Sequence, residues 1–163
     1  MTRRIAIDIE TSGLDPAFGG EIILICAVEL LEGGDFGAHF QRWVKPLRPL
    51  IPLTEDLTGI SNLKLANAPI FADIVESFLA FTADSELVCS NAGFDRKFLN
   101  HALINLQLPT LPLERFVDLL NEVPSEFREH STDGIYKYAG VERCISGKPS
   151  YEVARLYWAL ANL

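Results

Sequence analysis

The sequence is short of the residues that build extracellular and membrane proteins. It has 3 cysteines in 163 residues, too few and too irregularly spaced for a disulfide framework or a cysteine-rich metal site. Cys26 and Cys89 fall in apolar, strand-like runs and Cys144 in a loop-like one, which fits reduced thiols. No apolar stretch approaches the length of a membrane span. The opening MTRRIAIDIE has an apolar run too short, and too interrupted by acids, for a signal peptide. These absences predict a soluble, cytoplasmic protein without membrane contact. Internal repeats and low-complexity tracts are missing too. One domain over residues 1–163 is therefore expected, with 48% hydrophobic residues to fill its core. Positive charge is also scarce: 14 Lys+Arg stand against 22 Asp+Glu, a formal net charge of −8. That excludes a nonspecific nucleic-acid coat, which needs a basic surface, but not an enzyme that brings in metal cations.

What is present is a clear pattern of elements. Residues 4–10 read as a strand, 21–32 as a second, and 35–45, after Gly33-Gly34, as a third, together an antiparallel meander. The Pro-, Leu- and Thr-rich stretch 46–69 predicts a long connection with one short helix near Thr54–Thr58. Phe71, Ile74, Val75, Phe78 and Leu79 recur at helical spacing. ELVCS (86–90) reads as a short strand, 93–105 as a helix, and 113–120 as the place of a fifth strand. Val153, Leu156, Tyr157 and Leu160 mark a C-terminal helix after a polar, poorly patterned stretch. Strands first, then alternating helices and strands, predict an α/β fold with a mixed sheet flanked by helices.

Within the first strand, IAIDIETSG (5–13) carries two acids, Asp8 and Glu10. Alternate strand residues share a face, so their Cα atoms lie roughly 6.5–7 Å apart and their charges repel. A solvated strand end is the ordinary explanation. The functional one is a divalent-cation site, since hard cations take carboxylate oxygens and would cancel the repulsion. A third acid, Asp95, lies in SNAGFDRKFL (90–99), where a strand runs into a helix that Asn91 is placed to cap. First-turn acids are favoured by the helix dipole alone, yet a carboxylate there could also complete a two-metal cluster.

DIETSGLDP, TGISNLKLANAP (58–69) and NAGFDRKFL, in this order and spacing, resemble the DEDD superfamily of 3′–5′ exonucleases, above all the epsilon-type proofreading members. The resemblance runs from about residue 4 to 105 and more weakly to the C-terminus. It implies an RNase H-like fold with a five-stranded mixed sheet. It implies Asp8, Glu10 and Asp95 as ligands of two Mg²⁺ or Mn²⁺ ions, one activating a water and the other stabilising the leaving 3′-oxygen. It further implies that Thr11, Ser12, Gly13 and Leu14 hold the 3′-terminal nucleotide, with Ser90, Asn91 and Phe94 also at the substrate. Phe94 has a plain core reading beside a base-stacking one. The implied substrate is nucleic acid with a free 3′ end, DNA favoured, and the implied partner a polymerase or repair assembly. The sequence leaves the oligomeric state unassigned.

The last motif of that superfamily, His-x-x-x-x-Asp ahead of a helix, is absent. Aligned on Ala154-Arg155-Leu156-Tyr157, the metal-binding Asp falls on Pro149 and the general-base His on Cys144. The tyrosine variant, Tyr-x-x-x-Asp, is absent as well; Tyr138-x-x-x-Glu142 is a near match in an earlier position. Thr58 and Ser90 stand where relatives often have His. His39 and His101 read as surface residues, and His130 lies in a polar loop from which it could swing toward the site. Glu152, about one helical turn beyond Pro149, is the best substitute carboxylate; its alternative is a solvent-facing helix residue. Two functions follow from different classes: a 3′–5′ exonuclease with an unconventional or weakened base, or a degenerate module that binds nucleic acid or a polymerase without cutting. The retained acids favour the enzyme, because a scaffold gains nothing from their repulsion.

Overall fold

The computed structural model describes residues 2–125, 133–141 and 149–162. Five strands form one sheet: β1 (Arg3–Thr11), β2 (Ile22–Leu30), β3 (Phe36–Trp43), β4 (Ser85–Cys89) and β5 (Phe116–Asp118), in the order β3-β2-β1-β4-β5. The first three are antiparallel neighbours, while β4 joins β1 and β5 joins β4 in parallel. This is the mixed, RNase H-like sheet expected from the sequence. Six helices accompany it among the described residues: α1 (Pro52–Thr58), α2 (Asn62–Leu65), α3 (Phe71–Phe81), α4 (Ala92–Asn105), α5 (Asp133–Ala139) and α6 (Pro149–Ala161). None is long and apolar enough to cross a membrane.

The alternation in β1 decides how the two faces are covered. Ile5, Ile7 and Ile9 point to one face, where Ile74 and Phe78 of α3 and Phe98, Leu99 and Leu103 of α4 bury them. Ala6 points to the other, with Val28 and Val88 beside it, under Val153, Ala154 and Leu156 of α6 and Ile135 of α5. Asp8 and Glu10 continue the Ala6 face, opposite Cys26 and Leu24 of β2. There a separate cluster, Leu50, Ile60 and Leu65 from the α1–α2 segment, packs on Leu24 and Cys26. The cover on this face is thus in two pieces, and the two acids lie between them.

Two elements were not anticipated. α2 has four residues, with the Ser61 side chain accepting from Lys64 N–H at 3.2 Å, and so few residues give no periodicity to read. α5 spans a sequence without an amphipathic stripe, and Ile135 and Tyr136 alone are its buried residues.

Candidate active site

β1, β4 and β5 are mutually parallel, so their C-terminal ends gather at one end of the sheet, the usual position of ligand sites in open α/β folds. β1 ends there with Asp8, Glu10 and Thr11, β4 with Cys89, and β5 with Asp118, which is in register with Cys89. From β4 the chain turns into α4, whose first turn is fixed by the Asn91 side chain accepting from Phe94 N–H at 3.2 Å. This cap orients the turn that carries Asp95.

Asp95 is 3% exposed. β4 stops pairing with β1 at Ala6–Val88, which leaves the edge of β1 open beyond that point. Asp95 uses the opening: its carboxyl lies against Ile9 N–H and the Cys89 thiol, neighbours that favour its charged form, while the thiol itself donates to Leu87 C=O at 3.8 Å. Burial, and the nearby charges of Asp118 and Glu10, push its pKa up to about 8 despite these two neighbours. The same burial, with Asp95, Asp8 and Asp118 around it, pushes the Cys89 thiol well above its ordinary range. Asp8, Glu10, Asp95 and Asp118 therefore share one electrostatic neighbourhood, and it is negative.

Asp118 was not singled out from the sequence. Its only signal there is an acid closing an apolar strand, FVD, and that pattern is common at strand ends. In the fold it accepts from Leu120 N–H at 3.1 Å with one carboxylate oxygen, starting a short 3-10 turn. Glu152 is 7% exposed, so the solvent-facing alternative for it does not hold. Arg4, near the start of β1, donates to the Tyr157 hydroxyl at 2.6 Å. The C-terminal part of α6, Tyr157 to Ala161, thus lies beside the start of β1, and Glu152 belongs to the earlier turn, next to Val153 and Ala154 that pack on the Ala6 face. Pro149 opens α6. Cys144, His130 and Glu142 lie outside the described residues, and Tyr138 is half-buried against the core of the α6 face. His39 is exposed on β3, and His101 is partly exposed on α4.

The loop after β1 is pinned. Ser12 N–H donates to Glu21 C=O at 2.8 Å, Glu21 N–H to the Ser12 hydroxyl at 2.9 Å, and the Thr11 hydroxyl to Gly13 C=O at 2.7 Å. Thr54 of α1 reaches Ser12 C=O, tying one wall of the cleft to this loop. Leu14 is 90% exposed at its tip. Ser90 is buried, and Phe94 is half-buried against Phe98, ring centroids 4.8 Å apart, a packing that serves the core.

The donor chemistry fits a divalent cation. Asp8, Glu10, Asp95 and Asp118 are all carboxylates, the donors that hard cations prefer, beside a Cys89 thiol that burial keeps neutral, and a positive charge would relieve the burden that raises Asp95. Among the described residues, no three His, Cys, Asp or Glu side chains are already arranged to hold an ion.

The RNase T exonuclease family matches residues 5–144, ending ahead of α6. Among curated relatives, the DNA polymerase III epsilon subunit of Rickettsia typhi is 40% identical over 121 residues, 74% of this chain and 52% of that protein. The PolC-type DNA polymerase III of Bacillus subtilis is 31% identical over 98% of this chain but only 11% of its own length. The chain thus spans about half the length of the epsilon relative it matches. Two solved structures share the fold: the nuclease domain of 3′hExo, a DEDDh member bound to rAMP (TM-score 0.80, 20% identity, 99% of this chain and 92% of that one), and exonuclease X with 5′-overhanging duplex DNA (TM-score 0.71, 22% identity, 98% and 91%). With its sheet order, its acids on β1 and α4, and a family match over residues 5–144, the chain belongs to the RNase T exonuclease family.

Proposed function

We propose that the protein is a 3′–5′ exonuclease that removes nucleotides from single-stranded or frayed 3′ ends, with DNA favoured and a replication or repair polymerase as its setting in the cytoplasm. The observation that carries this reading is the buried Asp95, held beside Glu10 and Asp118 at the ends of the parallel strands. Such a grouping costs stability and is explained by a charge it is built to receive. The names of the epsilon and PolC-type relatives support DNA and the polymerase setting.

Asp8, Glu10 and Asp95 would hold divalent cations, Mg²⁺ or Mn²⁺. Such ions, when bound, lower the pKa of an attacking water and offset charge on the leaving oxygen. The chain's own residues do the positioning. The pinned Thr11–Gly13 backbone and the exposed Leu14 side chain form a shelf for the terminal nucleotide beside the acids. Asn91 fixes the first turn of α4, and with it the Asp95 carboxylate. The superfamily's histidine position falls on Cys144, and a positioned general base contributes typically ~10²–10⁴-fold. The expected enzyme is slow, and buried Glu152 is the carboxylate proposed to stand in for the Asp replaced by Pro149.

The test is release of mononucleotides from a 3′-labelled single strand in Mn²⁺, beside an Asp8→Ala control. Release by the parent and not by the variant supports the reading; equal inactivity of both overturns it. In that event, strand binding that needs Mn²⁺ and Asp8 would identify a binding module instead. Pro149 is the observation that favours this second reading.

A further inference from the structure

Next to the carboxylate cleft lies a positive segment that the exonuclease reading leaves unused. From Asp35 to Glu55 the intervening chain has no acidic residue, yet it contains Arg42, Lys45 and Arg48. On a chain of net charge −8 this reverses the prevailing balance. All three are exposed, as is Lys64 of α2, whose ammonium sits 3.9 Å from the ring centroid of Trp43. Lys45 and Arg48 make no ion pair among the described residues.

The backbone carrying these charges is held in place. Lys45 N–H donates to Pro69 C=O at 2.8 Å, and Leu47 N–H lies 3.1 Å from both Glu21 carboxylate oxygens. Leu50 N–H donates to the Asn62 side chain at 2.7 Å, and that side chain returns a bond to Leu50 C=O at 2.9 Å. Between this segment and α2 lies a groove of about 310 Å³, lined by Lys45, Leu47, Arg48 and Asn62 among others. The groove opens at the catalytic end, because β3 runs parallel in direction to β1 across the intervening β2 and delivers the chain to the end where Glu10 lies. Arg48 leans against Gly19, where an added Cβ would meet its guanidinium at 4.0 Å. Beside Gly19 is Phe18, 90% exposed, the one phenylalanine among the described residues that is mostly in water.

We propose that Phe18 and the groove lined by Lys45 and Arg48, with Lys64 on the neighbouring α2, form the track for the single strand leading away from the acid cleft. A base stacks on the Phe18 ring, and the phosphates beyond it run over Arg48, Lys45 and Lys64. A positive groove with an exposed aromatic is how single strands are held without regard to sequence. A duplex keeps its bases stacked on each other and cannot offer one to Phe18, so the track selects unpaired ends. This rests on the exonuclease reading and adds the path of its substrate and the residues that would hold it.

The test measures Kd by fluorescence anisotropy for phosphorothioate single strands of eight and of two nucleotides, with salt titrations. For the eight-nucleotide strand, Lys45→Glu with Arg48→Glu should raise Kd at least ~10-fold and lower the salt slope by about 1.4 or more. Phe18→Ala should raise it ~10-fold, and Phe18→Tyr should restore it. The losses should be smaller for the two-nucleotide strand. Lys137→Glu with Arg155→Glu, exposed elsewhere, changes net charge equally and should not reproduce the effect. Parental affinity in the track variants, an equal loss in the charge control, or a loss independent of length overturns the track. So does a parent that binds neither strand. Absence of Asp8-dependent hydrolysis, with strand binding still sensitive to Phe18 and Arg48, would instead remove the exonuclease reading and leave the track as a binding surface.

Discussion

The two ends of the central strand handle charge in opposite ways. At the start of β1, Arg3 meets Glu29 at 2.6 Å and also donates to Phe81 C=O, while Arg4 meets Glu86 at 2.7 Å and the Tyr157 hydroxyl. Each acid there has an arginine, and the pairs are partly solvated. At the other end of the same strand, Asp8 and Glu10 share a neighbourhood with Asp95 and Asp118, and burial drives the Asp95 pKa up to about 8. Pairing tethers β1 to its neighbours at modest gain, since partly exposed ion pairs contribute little. Accumulating like charge costs stability, and is retained where chemistry needs it. On the proposed reading, one strand has a structural end and a functional end.

That contrast can be broken by substitution at either end. The largest expected effect is on rate: Asp95→Asn should lower Mn²⁺-dependent nucleotide release by at least ~10³-fold, whereas Arg4→Ala should leave it within about twofold. Equal losses from the two variants, measured as initial rates on a labelled single strand, would erase the distinction.

Packing beneath the functional end comes next. Phe98 is 1% exposed, stacks against Phe94, and lies 3.1 Å from where a Cβ on Gly20 would be. Phe98→Ala should cost ~3–5 kcal/mol by urea denaturation, and it should loosen the loop that follows the acids.

The pH dependence of stability should have opposite signs at the two ends. The folded state of the metal-free protein keeps a proton on Asp95 up to about 8, against an ordinary value of 3.8. Stability should therefore fall as pH rises from the ordinary carboxylate range to about 8, and flatten above it. Asp95→Asn should stabilise the metal-free protein at pH 8.5 by ~1–3 kcal/mol, an advantage that shrinks toward pH 5. Thermal unfolding in a chelator at both pH values reads it.

Glu29 behaves conversely. Arg3 holds its carboxyl below the ordinary 4.5, so its contribution is complete above that value and is lost as pH falls through the lower folded one. Glu29→Gln should cost no more than ~1 kcal/mol at pH 7, and nothing once Glu29 is protonated in both states. This is the smallest effect of the set, and urea titrations at pH 7 and below pH 4 check it.

Much of this architecture was legible in the residues. The alternation Ile5, Ile7, Ile9 against Ala6, Asp8, Glu10 by itself places the acids on one face, and Asn91 announces the start of α4. α2 and α5 were illegible because neither has enough buried positions to make a period. Asp118 was hidden for another reason. β5 has three residues, and a single acid at its end gains meaning only when register sets it beside Cys89. Glu152 had two readings, and its helix pattern did not choose between them.

The sequence by itself determined the strand periods, the helix cap, the motifs on β1 and α4, and the absence of a His-x-x-x-x-Asp motif, because each is written within a few neighbouring residues. The tertiary structure alone decided that Asp95 is buried against Ile9 and Cys89, that Asp118 faces it, that Glu152 is covered, and that the basic segment opens at the same end. Those facts depend on which strands lie side by side and where each stops pairing, and burial and Coulomb energy act across such distances in space, not along the chain.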